Sequence, residues 1–133
     1  EFVDTDFPLF RLADVYLMYA EAVLREGTGG DISTAVGYIN ALRERAFGDE
    51  SGNISSSELD LDFIIDERGR ELYWEGHRRT DLIRFGMFAG GNYIWSWKGE
   101  SRDGLATDQR FNLFPLPDAD INANPNLEQN DGY

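Results

Sequence analysis

The chain has 133 residues, of which 41% are hydrophobic, so its length and composition indicate one globular domain rather than a disordered segment. Its net charge of −13 comes from 25 acidic residues against 12 basic ones, and such a charge repels phosphates, which argues against nucleic-acid binding. The sequence contains no cysteine, which excludes disulfides, thiolate metal sites and cysteine nucleophiles.

The first predicted helix is unusually apolar. After an extended lead-in, EFVDTDFPLF, the segment RLADVYLMYAEAVLREG predicts a helix that ends at the glycines of GTGG. Between Leu12 and Leu24 only Asp14 and Glu21 are polar, so the helix is apolar nearly all round, which is typical of a helix buried between other elements. The run is too short and too charged to span a membrane.

The segment DISTAVGYINALRERAFG predicts a second helix, capped at its start by Asp31 or Ser33. Apolar residues at helical spacing form one face of this helix: Ile32, Ala35, Val36, Ile39, Leu42 and Ala46. Two helices joined by a short glycine turn form a hairpin, which resembles one unit of a tetratricopeptide-type array. Such arrays need about three units, and the chain starts without a methionine, so we expect it to be part of a longer protein.

The rest of the chain is predicted to be less regular. A third helix is predicted from about Leu59 to Glu75, and a short fourth helix from Arg78 to Phe85. Apolar surface on the third helix comes from Phe63, Ile64, Ile65, Leu72, Tyr73 and Trp74. Residues 87–110 predict a long loop, and residues 113–133 an irregular strap, because Pro115 and Pro117 exclude a regular helix there. The predicted fold class is therefore mainly α: helical hairpins, a long irregular loop and an irregular C-terminal strap.

Residues 67–86, ERGRELYWEGHRRTDLIRFG, carry mixed charges that could indicate a metal site or a catalytic site. The only histidine, His77, has no nitrogen or sulfur partner at metal-ligand spacing, so we expect no metal. Glu71 and Glu75 have a spacing that a glycosidase could use. A glycosidase also needs one carboxyl that keeps its proton, and nearby arginines favour the ionised form. We therefore expect no catalytic residue and no cofactor.

An ion-pair lattice is the favoured interpretation of the same residues. Three glutamates four residues apart repel one another unless cations neutralise them, and arginine suits bidentate pairing between helices. Tyr73 and Trp74 beside them indicate partial burial. We predict a structural lattice that holds the helices in register, formed by Arg11, Arg43, Arg45, Glu67, Arg68, Glu71, Glu75, Arg78, Asp81 and Arg84.

Four segments together carry a family resemblance. They are RLADVYLMYAEAVLR (11–25), AVGYINALRERA (35–46), IIDERGRELYWEGHRRTDLIRFG (64–86) and LFPLPDADINANPNLEQNDGY (113–133). In this order they resemble the C-terminal part of the SusD/RagB family, which are glycan- and nutrient-binding lipoproteins of the outer membrane of Bacteroidetes. The resemblance implies tetratricopeptide-like hairpins, no enzymatic activity, and a single domain at residues 1–133 that forms the C-terminal portion of a longer SusD-like protein.

The resemblance also implies a location and partners. The expected location is the cell outer membrane, exposed at the surface, with membrane association only through an N-terminal lipid that this chain lacks. The expected ligand is an oligosaccharide or another nutrient, and the expected partner is a SusC-like TonB-dependent transporter. Two alternatives stay open: a helical-repeat protein-interaction module without glycan binding, and a carboxylate-dependent glycoside hydrolase.

Tyr93, Trp95 and Trp97 are the candidate ligand-binding residues. They alternate in NYIWSW, so in an extended segment all three point to one side. Aromatic faces stack on the apolar faces of sugar rings, which makes such a row a candidate platform for a glycan. Aromatic residues are also common core residues, so packing against the helices is the alternative for these three.

Overall fold

The computed structural model describes residues 9–133, so residues 1–8 of the predicted lead-in lie outside the described residues. The chain divides into two compact units, the first ending at Arg78 and the second spanning Arg79–Tyr133. The described α-helices are α1 (Leu12–Leu24), α2 (Ile32–Phe47), α3 (Leu61–Glu71), α4 (Arg78–Arg84) and α5 (Asp118–Ala123). Residues 9–133 contain no β-strand beyond an isolated bridge between Gly90 and Thr107. The predicted mainly α fold class is confirmed.

Helices α1 and α2 form the predicted hairpin, and α3 packs against α1. Helix α2 begins where the Asp31 carboxylate accepts the backbone N–H of Thr34 at 2.8 Å, so Asp31 provides the cap. This bond and the Thr34 hydroxyl hold the pKa of Asp31 below its usual value. The helix ends at Gly48, whose φ of 82° is left-handed.

The core of the first unit consists of apolar side chains from all three of its long helices and their connections. It contains Ala13, Leu17, Ala20, Ala35, Ile39, Leu42, Leu59, Ile64, Ile65 and Leu72. The predicted apolar face of α2 is therefore buried at its centre, whereas Ile32 and Ala46 at its two ends are exposed. No helix in the described part of the chain has the length and apolarity needed to cross a membrane.

The described residues do not enclose helix α1 on every side. Leu12, Val15 and Met18 are 63%, 49% and 47% exposed. They follow one another at three-residue intervals, so they lie along one face of the helix. Within the described residues α2 and α3 cover only the opposite faces. The predicted burial of this exposed face therefore stays a prediction.

Helix α3 ends at Glu71, four residues earlier than predicted. The following residues turn, with Trp74 and Gly76 at φ values of 66° and 80°. Left-handed residues cannot continue a right-handed helix. The Tyr73 and Trp74 side chains are 73% and 86% exposed, so these rings do not cover the charged residues beside them. Glu67 and Arg68 are nevertheless buried, as the sequence predicted for part of this charged stretch.

The C-terminal strap contains a short helix, although its prolines predicted that no regular helix forms there. Helix α5 begins directly after Pro117, whose φ of −59° is already compatible with a helix. A proline at the start of a helix loses no hydrogen bond, because the first N–H groups have no partner within the helix. Pro117 therefore marks where this helix begins, and the rest of the strap is irregular as predicted.

Side-chain amides order the irregular part of the strap. The Gln129 amide accepts the Leu116 N–H at 2.8 Å and donates to the Leu116 carbonyl at 3.0 Å. The Asn130 amide donates to the Phe114 carbonyl at 2.7 Å. These bonds satisfy backbone groups that regular secondary structure would otherwise pair.

Candidate functional site

The predicted ion-pair residues meet mainly in the first unit. Arg11, directly before α1, donates to the Glu75 carboxylate at 2.9 Å and to the Glu71 carboxylate at 2.7 Å. Arg45 of α2 donates to both oxygens of Glu71, at 2.7 and 2.5 Å. Burial lowers the pKa of Arg11, but its hydrogen bonds to Glu71 and Glu75 outweigh burial and raise it. The last residue of α3 is therefore bonded to arginines from two other elements.

A second group of pairs lies further along α3. Arg43 of α2 contacts the Glu67 carboxylate at 2.9 Å, and Arg70 contacts the same carboxylate at 2.7 Å. Arg68 contacts Asp14 of α1 at 2.8 Å. Glu67 and Arg68 are both buried. Charged contacts therefore connect α3 to both helices of the hairpin, which is the arrangement that a register-setting lattice requires.

The remaining predicted members make other contacts. Arg78 donates to the backbone carbonyl of Ile65 at 2.6 Å. Asp81 and Arg84 contact each other at 2.9 Å within α4. The proposed role of all these residues in helix register stays a prediction.

Two acidic residues of α1 were not among the predicted members. Asp14 pairs with Arg68, and Glu21 pairs with Arg25 at 2.8 Å. Asp14 and Glu21 are the two acidic residues of an otherwise apolar helix. Their position could have predicted these ion pairs, because a polar residue on a buried face needs a partner. Glu21 and Arg25 are also four apart, which is the spacing of helical ion pairs.

The contacts of Glu71 and Glu75 also test whether these residues could act as a hydrolase site. Arg11 is bonded to both Glu71 and Glu75, so it occupies the position between the carboxylates that a glycosidic bond takes in a hydrolase. Among residues 9–133, no three histidine or acidic side chains are grouped so that they could hold a metal ion.

The second unit contains an aromatic cleft of about 700 Å³. Six aromatic side chains line this cleft: Phe88, Trp95, Trp97, Phe111, Phe114 and Tyr133. The charged residues at its wall are Arg79, Lys98, Glu100 and Asp108. The volume lies in the range of small-molecule sites, which are typically apolar and aromatic with a few polar groups.

The structure brings two of the three predicted ligand-binding residues to this cleft. Trp95 and Trp97 line it, whereas Tyr93 is not among the lining residues and lies with its ring centroid 5.8 Å from that of Trp95. The segment bends at residues 91–93 and turns at Trp97, where φ is 73°. The extended geometry that would align all three rings is therefore absent, and their role in binding stays a prediction.

Arg79 of α4 fixes several rings of the cleft. Its guanidinium lies 4.0 Å from the ring centroid of Phe114 and 5.0 Å from that of Phe88. It also donates to the Phe111 carbonyl at 2.9 Å. Cation–π contacts of this kind are favourable where the cation is partly desolvated. In the sequence Arg79 is close only to glutamates such as Glu75, so its contacts with the aromatic rings of the cleft were not predicted.

Arg110 fixes the end of the chain in a similar way. Its guanidinium lies 5.0 Å from the Phe111 ring centroid and 5.5 Å from that of Tyr133, and it donates to the Gly132 carbonyl at 2.5 Å. The Tyr133 hydroxyl donates to the Leu113 carbonyl at 3.0 Å. The C-terminal residue is therefore held as part of the cleft wall. The residues that line the cleft are scattered from position 79 to 133, so no local pattern could have grouped them.

Comparison with known proteins gives consistent matches. A model of the SusD family matches residues 2–133. The chain is 48% identical over 131 residues to the starch-binding protein SusD of Bacteroides thetaiotaomicron, which covers 98% of this chain and 22% of that protein. It is 34% identical over 107 residues to a SusD-like protein of Bacteroides ovatus, which covers 76% of this chain and 18% of that protein.

Solved structures agree with these matches. A SusD superfamily protein from Bacteroides vulgatus superposes with a TM-score of 0.70 at 33% identity, over 94% of this chain and 27% of that one. A SusD superfamily protein from Parabacteroides distasonis superposes with a TM-score of 0.66 at 28% identity, over 96% of this chain and 27% of that one. The chain thus spans less than a third of the length of each of these four relatives.

Proposed function

The chain belongs to the SusD family, and from this membership and the aromatic cleft we propose that it is part of a non-enzymatic protein that captures a glycan or another nutrient. The proposal places that protein on the surface of the outer membrane, attached by an N-terminal lipid outside this chain. The captured ligand passes to a SusC-like TonB-dependent transporter. Residues 1–133 form one domain in this proposal, the C-terminal portion of a longer SusD-like protein.

The observation that carries the proposal is the cleft lined by Trp95 and Trp97. Exposed aromatic faces suit the apolar faces of sugar rings, and the indole N–H adds a hydrogen-bond donor at the ring edge. The Trp97 side chain is 68% exposed. Its backbone is left-handed, with a φ of 73°, a conformation that is unfavourable for a tryptophan. Backbone strain of this kind is concentrated at ligand clamps and active sites. The starch-binding relative supports a glycan as the ligand class.

The ion-pair contacts support the absence of catalysis. A retaining or inverting glycosidase needs two carboxyl groups on either side of the bond that it cleaves. In the first unit the candidate carboxylates of Glu71 and Glu75 both pair with Arg11, a cation that favours the ionised form of each. A lattice that holds helices together explains these residues better than a reaction does.

Calorimetric titration with maltoheptaose, a soluble fragment of starch, tests the proposed function. We expect Trp95→Ala and Trp97→Ala each to weaken binding by about 30-fold, equivalent to about 2 kcal/mol, because buried aromatic contacts dominate binding energies. Tyr93→Ala should weaken binding less, since Tyr93 contacts the Trp95 ring but is not among the residues that line the cleft.

Trp74→Ala is the matched control, because Trp74 is an exposed tryptophan of the first unit. We expect this variant to bind as the unsubstituted chain does. Equal losses in Trp74→Ala and Trp95→Ala would contradict a site at the cleft. If neither maltoheptaose nor a panel of other oligosaccharides and peptides binds the unsubstituted chain, the proposal for these residues is wrong.

A further inference from the structure

Lys98 is the only lysine of the chain, and it is only 3% exposed. Its ammonium group donates to the Tyr93 carbonyl at 2.5 Å and to the Met87 carbonyl at 3.4 Å. It also lies 4.6 Å from the ring centroid of Trp95. Within the described residues its partners are therefore carbonyl oxygens and an aromatic ring rather than a carboxylate. A buried lysine without a counter-charge is uncommon, because burial of an unpaired charge is costly.

The main chain of Lys98 ties the same segment together. Its N–H donates to the Trp95 carbonyl at 3.0 Å, and its carbonyl accepts the Leu105 N–H at 2.9 Å. The segment, residues 87–107, is closed at its base by the bridge between Gly90 and Thr107. Within residues 87–107, which we name the Lys98 lobe, Ala89 and Lys98 are the only buried residues. The lobe therefore buries few apolar side chains, and the ammonium group lies among its backbone carbonyls.

We propose that Lys98 is the positioning residue of the ligand cleft, and that its charged ammonium group holds Trp95 and the Trp97 turn in the arrangement that binds the ligand. The inference rests on the proposed function, because it concerns the same cleft. Lys98 acts through these tryptophans, and the backbone bonds of the lobe connect its position to both of them. Removing the charge should leave the lobe folded but change the orientation of the aromatic wall.

A pH series separates this role from a purely structural one. Burial lowers the pKa of Lys98 below its ordinary value of 10.5. Between the lowered value and 10.5 the unfolded chain keeps the proton that the folded chain has released, so the contribution of Lys98 to the free energy of unfolding rises with pH. Over the same interval Trp95 loses its cation, so ligand affinity should fall. A purely structural role would move stability and affinity in the same direction.

Other groups titrate or carry charge near this lysine, and the design has to separate them. The phenol of Tyr93 lies in the lobe itself, and the groups at the cleft wall are Arg79, Glu100, Asp108 and Tyr133. The pH dependence assigned to Lys98 is therefore the difference between the unsubstituted chain and its Lys98 variants. Lys98→Arg stays charged throughout this interval, and Lys98→Met is uncharged throughout.

Spectroscopy provides the readout that does not depend on a ligand. In a chain with Trp74→Phe and Trp97→Phe, Trp95 is the only tryptophan, and lysine labelled with ¹³C at Cε gives one signal from Lys98. We expect the Lys98 signal and the Trp95 emission to change together in one step below pH 10.5. In Lys98→Arg and Lys98→Met, Trp95 emission should show only the pH dependence that is common to all three chains. A Lys98 signal that titrates while Trp95 emission stays constant would overturn the inference.

Titration with maltoheptaose completes the test. We expect affinity to fall about threefold to tenfold across the step for the unsubstituted chain, to stay level for Lys98→Arg, and to be low at every pH for Lys98→Met. Tight binding by Lys98→Met at pH 7 would overturn the inference. If Lys98→Met does not fold, the unsubstituted chain and Lys98→Arg still decide the result. If no chain binds the sugar but the Trp95 step occurs, the proposed function fails while the positioning role of Lys98 is supported.

Discussion

In the first unit every long helix contributes apolar side chains to a buried core, whereas in the second unit the buried residues are Leu82, Ala89, Asp81 and Lys98. Apart from the Asp81–Arg84 pair within α4, the second unit also uses its basic residues differently from the first. In the first unit arginines contact carboxylates on neighbouring helices, as Arg43 contacts Glu67. In the second unit Arg79 contacts aromatic rings and backbone carbonyls.

This difference separates a scaffold from a binding surface. Pairing arginine with carboxylate on helices that pack together saturates both groups, and it fixes how the helices align. Placing a cation against a ring or a carbonyl instead leaves aromatic surface at the edge of a cleft, where a ligand can contact it. We therefore expect substitutions of charged residues to affect stability in the first unit and ligand binding in the second.

The largest expected effect is the loss of the ion pair between the buried Arg68 and the half-buried Asp14. Arg68→Met should lower the free energy of unfolding by about 3–5 kcal/mol, because it leaves the Asp14 carboxylate without its cation. Urea unfolding followed by circular dichroism measures the change. The exposed control is Arg70→Met, whose side chain is 55% exposed, and it should cost less than about 1 kcal/mol.

A double variant sharpens this prediction. Asp14→Leu combined with Arg68→Met removes both charges and should recover part of the lost stability, since no charge is then left without a partner. A double variant that is less stable than Arg68→Met alone would show that the pair does not act as a unit.

Glu71→Gln is expected to have the next largest effect. The carboxylate accepts hydrogen bonds from Arg11 and Arg45, and a neutral amide weakens both, so the free energy of unfolding should fall by about 2 kcal/mol. A hydrolase would instead keep its stability and lose sugar release. Unfolding curves and a reducing-sugar assay on the same samples distinguish the two, with the exposed Glu26→Gln as the control.

The strap of the second unit should be sensitive to a single atom of Gln129. In Gln129→Glu a carboxylate oxygen replaces the amide nitrogen that donates to the Leu116 carbonyl, so we expect a loss of about 1–2 kcal/mol. Gln109 is the matched control, because its oxygen is the atom that accepts the Asn112 amide and Gln109→Glu keeps that acceptor. Hydrogen exchange at the Leu116 amide is the local readout. Equal protection in the two variants would contradict the prediction.

Local physical chemistry accounts for what the sequence could predict. Helical spacing indicated α1, α2 and α4 to within a few residues, and the Asp31 cap follows from side-chain chemistry alone. Several lattice arginines were also expected from the glutamates four apart. These features depend on neighbours within one or two helical turns, which a single sequence displays directly.

What the sequence could not predict depends on distant residues. The cleft combines Arg79 and Phe88 with Phe111, Phe114 and Tyr133, and nothing in the local pattern of either group points to the other. The burial of Lys98 could not be predicted either. Lysine is usually exposed, and here the backbone carbonyls around the ammonium group make burial tolerable. The early end of α3 depends on the left-handed Trp74, a conformation that composition does not favour.

That left-handed turn gives the smallest predicted effect and tests the first unit at its exposed edge. Trp74 has a φ of 66° and is 86% exposed, so its side chain adds strain without adding core packing within the described residues. We expect Trp74→Gly to be more stable than Trp74→Ala by about 1 kcal/mol, because only glycine removes the Cβ that disfavours this backbone. Thermal and urea unfolding of the two variants measure the difference. If alanine is as stable as glycine, the turn is not strained, and Trp74 ends α3 for another reason.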